Sequence, residues 1–329
     1  MKNNMAALNR NIKKILIFRN GDIGNTLMAT PFFRMLKEFY PEAEVHVVVE
    51  RIGKELLKND PNIDKFYIFN KKKDNLSIQL NLVKEWRVEK YDVSFHLRAG
   101  IRNEILAFLS GIPVRIGFPL KGSFQFLTIK IIKKEISHHF ELGRMILSNF
   151  HDNVPVYKPR LQVDPYEKSN LNEKLKANNL KCKEYCVIHP AGKTIKKDNW
   201  QLSFFCDIIE LIQDSFQLPC VVIGSANERD EIEKSLNVTR QPIFWFQDDI
   251  GETSELIRQS KIFCGNDSGP FHIAECWDIP SIVLYRDNEN NFLKWHPLND
   301  DTSVPVFHSE LNDKKTIMNK INKVLNNWV

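Results

Sequence analysis

The stretch SELIRQSKIFCGNDSGPFHIAECWDIPSIVLY, residues 254–285, decides the fold of this chain. Within it, short apolar runs of strand length alternate with stretches of helical pattern. The predicted elements are helix Thr253–Gln259, strand Lys261–Cys264, helix Pro270–Cys276 and strand Ser281–Tyr285. Strands that alternate with helices in this way are typical of a parallel sheet that is covered by helices.

The same alternation runs through both halves of the chain. In the first half we predict strands Ile15–Phe18, Val45–Val49 and Tyr91–Leu97, and helices Thr26–Tyr40, Ser77–Glu89 and Arg102–Leu109. In the second half we predict strands Tyr185–His189 and Pro219–Ile223, and helices Leu202–Gln213 and Glu228–Leu236. Residues 151–166 contain three prolines and little periodicity, which indicates a linker between two domains.

The predicted fold is therefore α/β, with two Rossmann-like, doubly wound domains that face a central cleft. We assign residues 1–155 to an N-terminal domain and residues 156–310 to a C-terminal domain. Residues 311–329 are expected to form a helix that packs back on the N-terminal domain. In open α/β sheets, ligands bind beyond the carboxyl ends of the strands, so the loops that follow the strands are the candidate sites.

Composition excludes several classes of protein. The chain has 329 residues, of which 43% are hydrophobic and 26% charged, so it is neither disordered nor collagen-like. It has no apolar run near the ~20 residues of a spanning helix and no secretory signal, which favours a cytoplasmic protein. The net charge of +5 permits an anionic ligand or a peripheral contact with the inner membrane face, but it does not require nucleic acid. Six cysteines without a CxxC pair indicate reduced core thiols, and no metal-ligand spacing occurs.

The strongest candidate site is the turn that contains Asp267, Ser268 and Gly269, between a predicted strand and a predicted helix. The start of a helix carries unpaired N–H groups and about half a positive charge, which suits an anion such as a diphosphate. Asp267 and Ser268 can bind hydroxyl groups of a ligand. The competing interpretation is a plain turn with a helix cap.

Two other loops follow strands of the second half. The loop HPAGKTIKKDNW, residues 189–200, offers Gly192, Lys193 and Lys197, which suit a phosphate unless the loop is simply a solvated basic one. After strand Pro219–Ile223, Glu228 can bind a ribose diol, or it can serve the first turn of a helix.

A third candidate loop follows the first strand. Arg19-Asn20-Gly21-Asp22-Ile23-Gly24-Asn25-Thr26 contains two glycines, but their spacing is not that of a dinucleotide-binding fingerprint. A redox cofactor is therefore weakly supported. Asp22 can enter the cleft, or the loop can simply cap the following helix.

Together these segments resemble the bacterial lipopolysaccharide heptosyltransferases, glycosyltransferase family nine. The resemblance rests on residues 15–49, 187–200, 221–230 and 254–285. It implies a GT-B fold that binds a nucleotide-sugar donor mainly with the second domain and a glycolipid or glycan acceptor with the first. It also implies inverting transfer without a metal or other cofactor, typically of heptose from ADP-heptose onto a lipopolysaccharide core.

Position by position, the resemblance assigns Asp267, Ser268 and Gly269 to the donor-binding turn and Glu228 to the donor nucleoside. Gly192 corresponds to a small residue beside the diphosphate. The family's phosphate-binding lysine stands two residues before a tryptophan, where this chain has Asp198, so Lys197 or Lys193 is the remaining candidate.

The first loop departs from the family pattern. Asn25 occupies the position of the aspartate that serves as the family's catalytic base, and an amide cannot take a proton at neutral pH. Asp22 is one substitute, and a base elsewhere or on the substrate is another. The remaining alternatives are a weak or inactive nucleotide-sugar-binding relative and a different GT-B enzyme such as an epimerase. Residues 286–297 also lack the family's Gly-Pro-Thr turn, which leaves the exact donor open.

Overall fold

A computed structural model describes Leu8 and residues 11–70, 73–98, 100–120, 125–132, 137–191, 200–246, 248–311 and 313–326. The chain divides into two compact units, Met1–Arg160 and Leu161–Val329. The division lies within the proline-containing segment 151–166. Helix Pro165–Ala177 starts the second unit, with Asp164 as its N-cap.

The first unit is a six-stranded parallel sheet with helices. Its strands are β1 Lys14–Phe18, β2 Glu44–Val49, β3 Lys65–Ile68, β4 Val93–His96, β5 Val114–Gly117 and β6 Ile129–Lys130. Its helices are α1 Ile23–Leu27, α2 Thr30–Phe39, α3 Arg51–Leu57, α4 Leu76–Glu89, α5 Ile101–Leu109 and α6 Glu141–Leu147. The strand order is β3-β2-β1-β4-β5-β6, and every pairing is parallel.

The second unit repeats this design. Its strands are β7 Cys186–His189, β8 Cys220–Gly224, β9 Ile243–Phe246, β10 Ile262–Asn266, β11 Ser281–Tyr285 and β12 Ser303–Phe307. Its helices are α7 Pro165–Ala177, α8 Trp200–Ser215, α9 Arg229–Ser235, α10 Ile250–Gln259, α11 Gly269–Cys276, α12 Glu289–Trp295 and α13 Lys314–Asn326. The order β12-β11-β10-β7-β8-β9 is again wholly parallel.

The two strand orders confirm the predicted α/β, doubly wound fold. In each sheet the chain first moves outward on one side of the initial strand and then returns to the other side. The order therefore reverses between β1 and β4 in the first unit and between β7 and β10 in the second. Such reversal points are where doubly wound sheets bind ligands, because the loops on either side diverge there and leave a crevice.

The central strands are apolar on both faces, as a sheet covered by helices on both sides requires. Ile15, Leu16 and Ile17 of β1 are fully buried, and so are Val187 and Ile188 of β7.

One predicted helix is divided in the structure. The prediction of one helix over Thr26–Tyr40 is wrong, because the structure has two helices there. Helix α1 ends at Leu27, and α2 begins at Thr30 with Pro31 in its first turn. Proline suits that position because it has no N–H to leave unpaired and its φ angle is already helical.

The C-terminal helix α13 packs on β11 and β12 of the second unit. Ile317, Ile321 and Val324 bury its apolar face in the core of that unit. The spacing of those three residues gives the helix this one apolar face, and packing of the C-terminal segment on the N-terminal domain stays a prediction.

All six cysteines are free thiols, and Cys186, Cys220, Cys264 and Cys276 are buried. Among the described residues, no helix combines the length and the apolar character that crossing a bilayer requires.

Candidate functional site

The reversal point of the second sheet brings two loops together. Strands β7 and β10 are parallel neighbours, with His189 opposite Gly265. Both strands therefore end at the same edge of the sheet, and Pro190–Ala191 emerges beside the turn Asp267–Gly269. Asp267, Ser268 and Gly269 are half-buried. The predicted turn thus lies at the sheet edge where this fold class holds its ligands.

Asn266 ties the two loops to each other. Its Nδ2 donates to the carbonyl oxygens of Pro190, at 2.9 Å, and Ala191, at 3.1 Å. The Asn266 side chain is buried, and its Oδ1 has no hydrogen-bond partner among the described residues. One amide group therefore fixes the spacing of the two strand ends that flank the turn.

Ser268 is the N-cap residue of α11, but its side chain does not cap the helix. Its Oγ lies 3.1 Å from Nδ1 of the buried His189. Burial lowers the pKa of His189 to about 4, so the ring is neutral at pH 7. Because the serine is engaged there, it leaves the N–H groups of Gly269 and Phe271 in the first turn for a ligand, while Pro270 has none.

Asp267 lies at the centre of a polar cluster. Its Oδ2 accepts a hydrogen bond from Nδ2 of Asn291 at 3.1 Å, and its Oδ1 is 3.6 Å from Nε2 of His272. Nδ1 of His272 lies 2.8 Å from Oε2 of Glu275, whose Oε1 accepts from the backbone N–H of Leu298. Burial raises the pKa of the Asp267 carboxyl above its usual value.

Glu228 ends a 3₁₀ turn, Ala226–Glu228, after β8. Its Oε2 accepts from the backbone N–H of Ser225, at 2.9 Å, and from the Ser225 hydroxyl, at 2.6 Å. Glu228 therefore forms a capping box, which is the structural interpretation that the sequence left open. The negative charge of Glu228 also acts on His189, which places the carboxylate in the electrostatic neighbourhood of the turn.

The basic loop, residues 189–200, is described only in part. Gly192, Lys193 and Lys197 lie outside the described residues. The described part of that loop ends at Ala191, which is fully buried.

In the first unit, the loop after β1 contains Asp22 and Asn25. Asp22 is exposed and is the N-cap residue of α1, without a cap hydrogen bond from its side chain. Its carbonyl oxygen accepts from the N–H of Thr26 at 3.1 Å. Asn25 is half-buried in the same turn.

Two arginines, Arg19 at the start of this loop and Arg98 next to it, were given no role by the sequence analysis. Arg19 is almost fully buried, and its Nε donates to the carbonyl oxygen of Asn25. Burial, together with the charge of Arg98, lowers the Arg19 pKa to about 9. A Cβ added at Gly21 would lie 3.3 Å from Nη1 of Arg98 and 3.6 Å from Cβ of Asn25, so both side chains lie next to Gly21.

Sequence reasoning also missed Asn266 and Asn291 as parts of the site. Asn266 stands within the motif that the sequence analysis selected, and its position at the last residue of a buried strand is the available signal. Asn291 lies in residues 286–297, where the sequence showed only a departure from the family pattern. Among the described residues, no three His, Cys, Asp or Glu side chains group as metal ligands would.

The fold and the turn define an α/β protein with doubly wound domains, and comparison with known proteins identifies its family. The model of glycosyltransferase family 9 (heptosyltransferase) matches residues 79–325, so the chain belongs to this family and is a glycosyltransferase. The family and the GT-B type of fold predicted from the sequence are both confirmed.

Relatives of known structure and name agree. Lipopolysaccharide heptosyltransferase 2 of Escherichia coli K12 is 25% identical over 300 residues, covering 85% of this chain and 84% of that protein. The structure of E. coli ADP-heptose LPS heptosyltransferase II gives a TM-score of 0.76 at 20% identity and covers 95% of this chain and 98% of that one. A glycosyl transferase family 9 structure from Veillonella parvula gives a TM-score of 0.80 at 16% identity and covers 94% and 92%.

Proposed function

We propose that this protein is an inverting heptosyltransferase that moves heptose from ADP-heptose onto a lipopolysaccharide core or a related cell-surface glycan. The observation that carries the proposal is the turn Asp267–Gly269 at the reversal point of the second sheet, with a helix start that Ser268 leaves uncapped. The acceptor class comes from relatives such as lipopolysaccharide heptosyltransferase 2, and the donor class from the similar structure named ADP-heptose LPS heptosyltransferase II.

The donor diphosphate would bind the N–H groups at the start of α11. Charge grows on the diphosphate as it leaves the sugar, and N–H groups that are already aimed at that charge are usually a large term in catalysis. Asp267 would bind hydroxyl groups of the sugar, and Glu228 those of the ribose. Gly192 and either Lys193 or Lys197 remain candidates for the diphosphate.

The acceptor hydroxyl would attack the anomeric carbon from the face opposite the diphosphate, which inverts the configuration. Its proton goes to a base of the N-terminal domain, and Asp22 is our candidate because it is an exposed carboxylate in the loop after β1. Asp22 also lies in the same turn as Asn25, the position of the family base. A positioned base contributes about 10²–10⁴ in rate.

A transfer assay tests this assignment. The protein is incubated with ADP-heptose and a core-oligosaccharide acceptor, and the product's anomeric configuration is read by NMR. Asp22→Asn should lower kcat by at least about 10²-fold while donor binding is retained. Unchanged kcat in this variant would remove Asp22 from the mechanism, and retention of configuration would contradict inverting transfer.

One observation favours a second candidate, a weak or inactive nucleotide-sugar-binding relative. Asn25 replaces the base, and its side chain packs over Gly21 near Arg98 rather than presenting a carboxylate. This candidate predicts donor binding without measurable transfer in the wild type. Transfer by the wild type at rates typical of enzymes would exclude it.

A further inference from the structure

Helix α12, Glu289–Trp295, lies against the turn of the proposed donor site. It follows β11 and begins with Asn288, whose side chain accepts from the N–H of Asn291. Asn291 reaches across to Asp267, and Nδ2 of the asparagine donates to Oδ2 of the carboxylate at 3.1 Å. Among the described residues, Asn291 alone donates a hydrogen bond to this carboxylate.

We propose that Asn291 is a positioning residue for the donor sugar, because its amide holds the Asp267 carboxylate in the orientation that binds the sugar's hydroxyl groups. This inference rests on the proposed function, which makes Asp267 a donor ligand. It assigns a function to residues 286–297, for which the sequence analysis predicted none.

The groups around Asp267 act on the pKa of its carboxyl in opposite directions. Burial raises the pKa of the carboxyl, and the negative charge of Glu275 acts in the same direction. His272 and the hydrogen bond from Asn291 oppose this rise. His272 and Glu275 face Asp267 from α11, and Asn291 faces it from α12, while Tyr285 of β11 also senses its charge. Asn291 thus helps to keep Asp267 ionised and fixes one of its two oxygens.

The rest of α12 is anchored independently of Asn291. Phe292 packs between Tyr285 and Phe307, with ring centroids 5.1 and 5.0 Å away. Trp295 packs on the His272 ring at 5.0 Å, and its carbonyl oxygen accepts from the Tyr285 hydroxyl at 2.8 Å. Because these contacts lie on the aromatic side of the helix, replacing the exposed Asn291 should leave the helix in place.

A first experiment needs no sugar nucleotide. The pKa of the Asp267 carboxyl is followed by ¹³C NMR of the protein labelled at aspartate, with Asp267→Asn to assign the signal. Asn291→Ala should raise this pKa, and the isosteric Asn291→Asp should raise it further, because a second negative charge replaces the amide N–H that donates to Asp267. The adjacent, exposed Asn290 supplies matched controls, Asn290→Ala and Asn290→Asp, which should leave it unchanged. An unchanged Asp267 pKa in both Asn291 variants would overturn the pairing.

A second experiment measures kcat/KM for the donor across pH. Asn291→Ala should lower kcat/KM about tenfold at pH 7 and move the acid limb of the profile to higher pH, since one hydrogen bond to a charged group is lost. Asn291→Asp should lose more, and Asn291→Gln, which keeps the amide, should recover part of the loss. Melting temperatures of all the variants should match the wild type.

The outcomes separate the two claims. If the wild type neither binds nor uses a sugar nucleotide, the proposed function is wrong, whatever the NMR shows. If the wild type is active and the Asn291 variants keep its kcat/KM and pH profile, the positioning role is wrong while the proposed function stands.

Discussion

Replacing Asn266 by alanine should destabilise the second unit and weaken donor binding together. The Asn266 amide donates to two buried carbonyl oxygens, those of Pro190 and Ala191, at the end of β7. Alanine removes both hydrogen bonds. The segment Pro190–Ala191, which directly follows His189, the partner of Ser268, then loses its side-chain link to the end of β10.

The magnitude follows from those two bonds. Each is worth about 1 kcal/mol net, and leaving a buried acceptor unpaired adds to the cost. Removal of the unpaired Oδ1 of Asn266 offsets part of it. We expect the free energy of unfolding to fall by about 2–3 kcal/mol. Asn266→Asp should cost more than alanine, because it keeps the shape but turns a buried carboxylate toward two carbonyl oxygens.

Urea denaturation followed by far-UV circular dichroism measures the stability, and calorimetric titration with the donor measures the binding. Asn290→Ala is the control, since this exposed asparagine should change stability by less than about 0.5 kcal/mol. If Asn266→Ala were as stable as the control, or if Asn266→Asp were the more stable of the two Asn266 variants, the assigned role of the amide would be refuted.

Three further predictions concern His189, Asn25 and Glu228. Burial lowers the His189 pKa from 6.5 to about 4, so folding favours the neutral ring. The free energy of unfolding should therefore be highest above pH 6.5 and fall as the pH decreases toward 4, by on the order of 3 kcal/mol. His189→Gln should flatten that part of the stability–pH curve, and an unaltered slope would contradict it. If the site is a disabled one, Asn25→Asp should raise kcat for transfer by roughly 10-fold or more. If Asn25 belongs to a working site, the same change should lower kcat. An unchanged kcat would contradict both interpretations. Glu228→Gln should weaken donor binding by about tenfold, with exposed Asp230→Asn as the control, and equal affinity in the two variants would leave Glu228 a purely structural cap.

The sequence predicted the central strands well because their residues are apolar on both faces. Strand Ser281–Tyr285 was predicted with the bounds that the structure shows. The strands that sequence reasoning missed lie mainly toward the sheet edges. Lys65–Ile68 is buried at only one of its four residues, and Ser303–Phe307 contains Pro305. Both are edge strands, where exposure weakens the apolar pattern and proline is tolerated.

For the candidate site too, sequence reasoning found some residues and missed others. The turn Asp267–Gly269 could be found because small residues follow a buried strand and precede a helix, which is a local pattern. Its partners could not be found, because His189 and Asn291 reach it from 79 and 24 residues away along the chain. Glu228 shows a different limit of sequence reasoning. Its local pattern fits a capping box and a ligand contact equally well, so the sequence could not choose between them.

The central claim is that the turn Asp267–Gly269 binds a sugar nucleotide, with the sugar at Asp267 and the diphosphate at the start of α11. Thermal unfolding with ADP-, UDP-, GDP- and CDP-sugars, in the wild type and in Asp267→Ala, tests it most directly. A ligand at 100 times its Kd stabilises the native state by about 2.7 kcal/mol, which raises the melting temperature of a domain of this size by roughly 5–10 °C. We predict such a rise for one nucleotide class, with ADP-sugars first, and its loss in Asp267→Ala. No rise with any sugar nucleotide, or an equal rise in the variant, would contradict the claim.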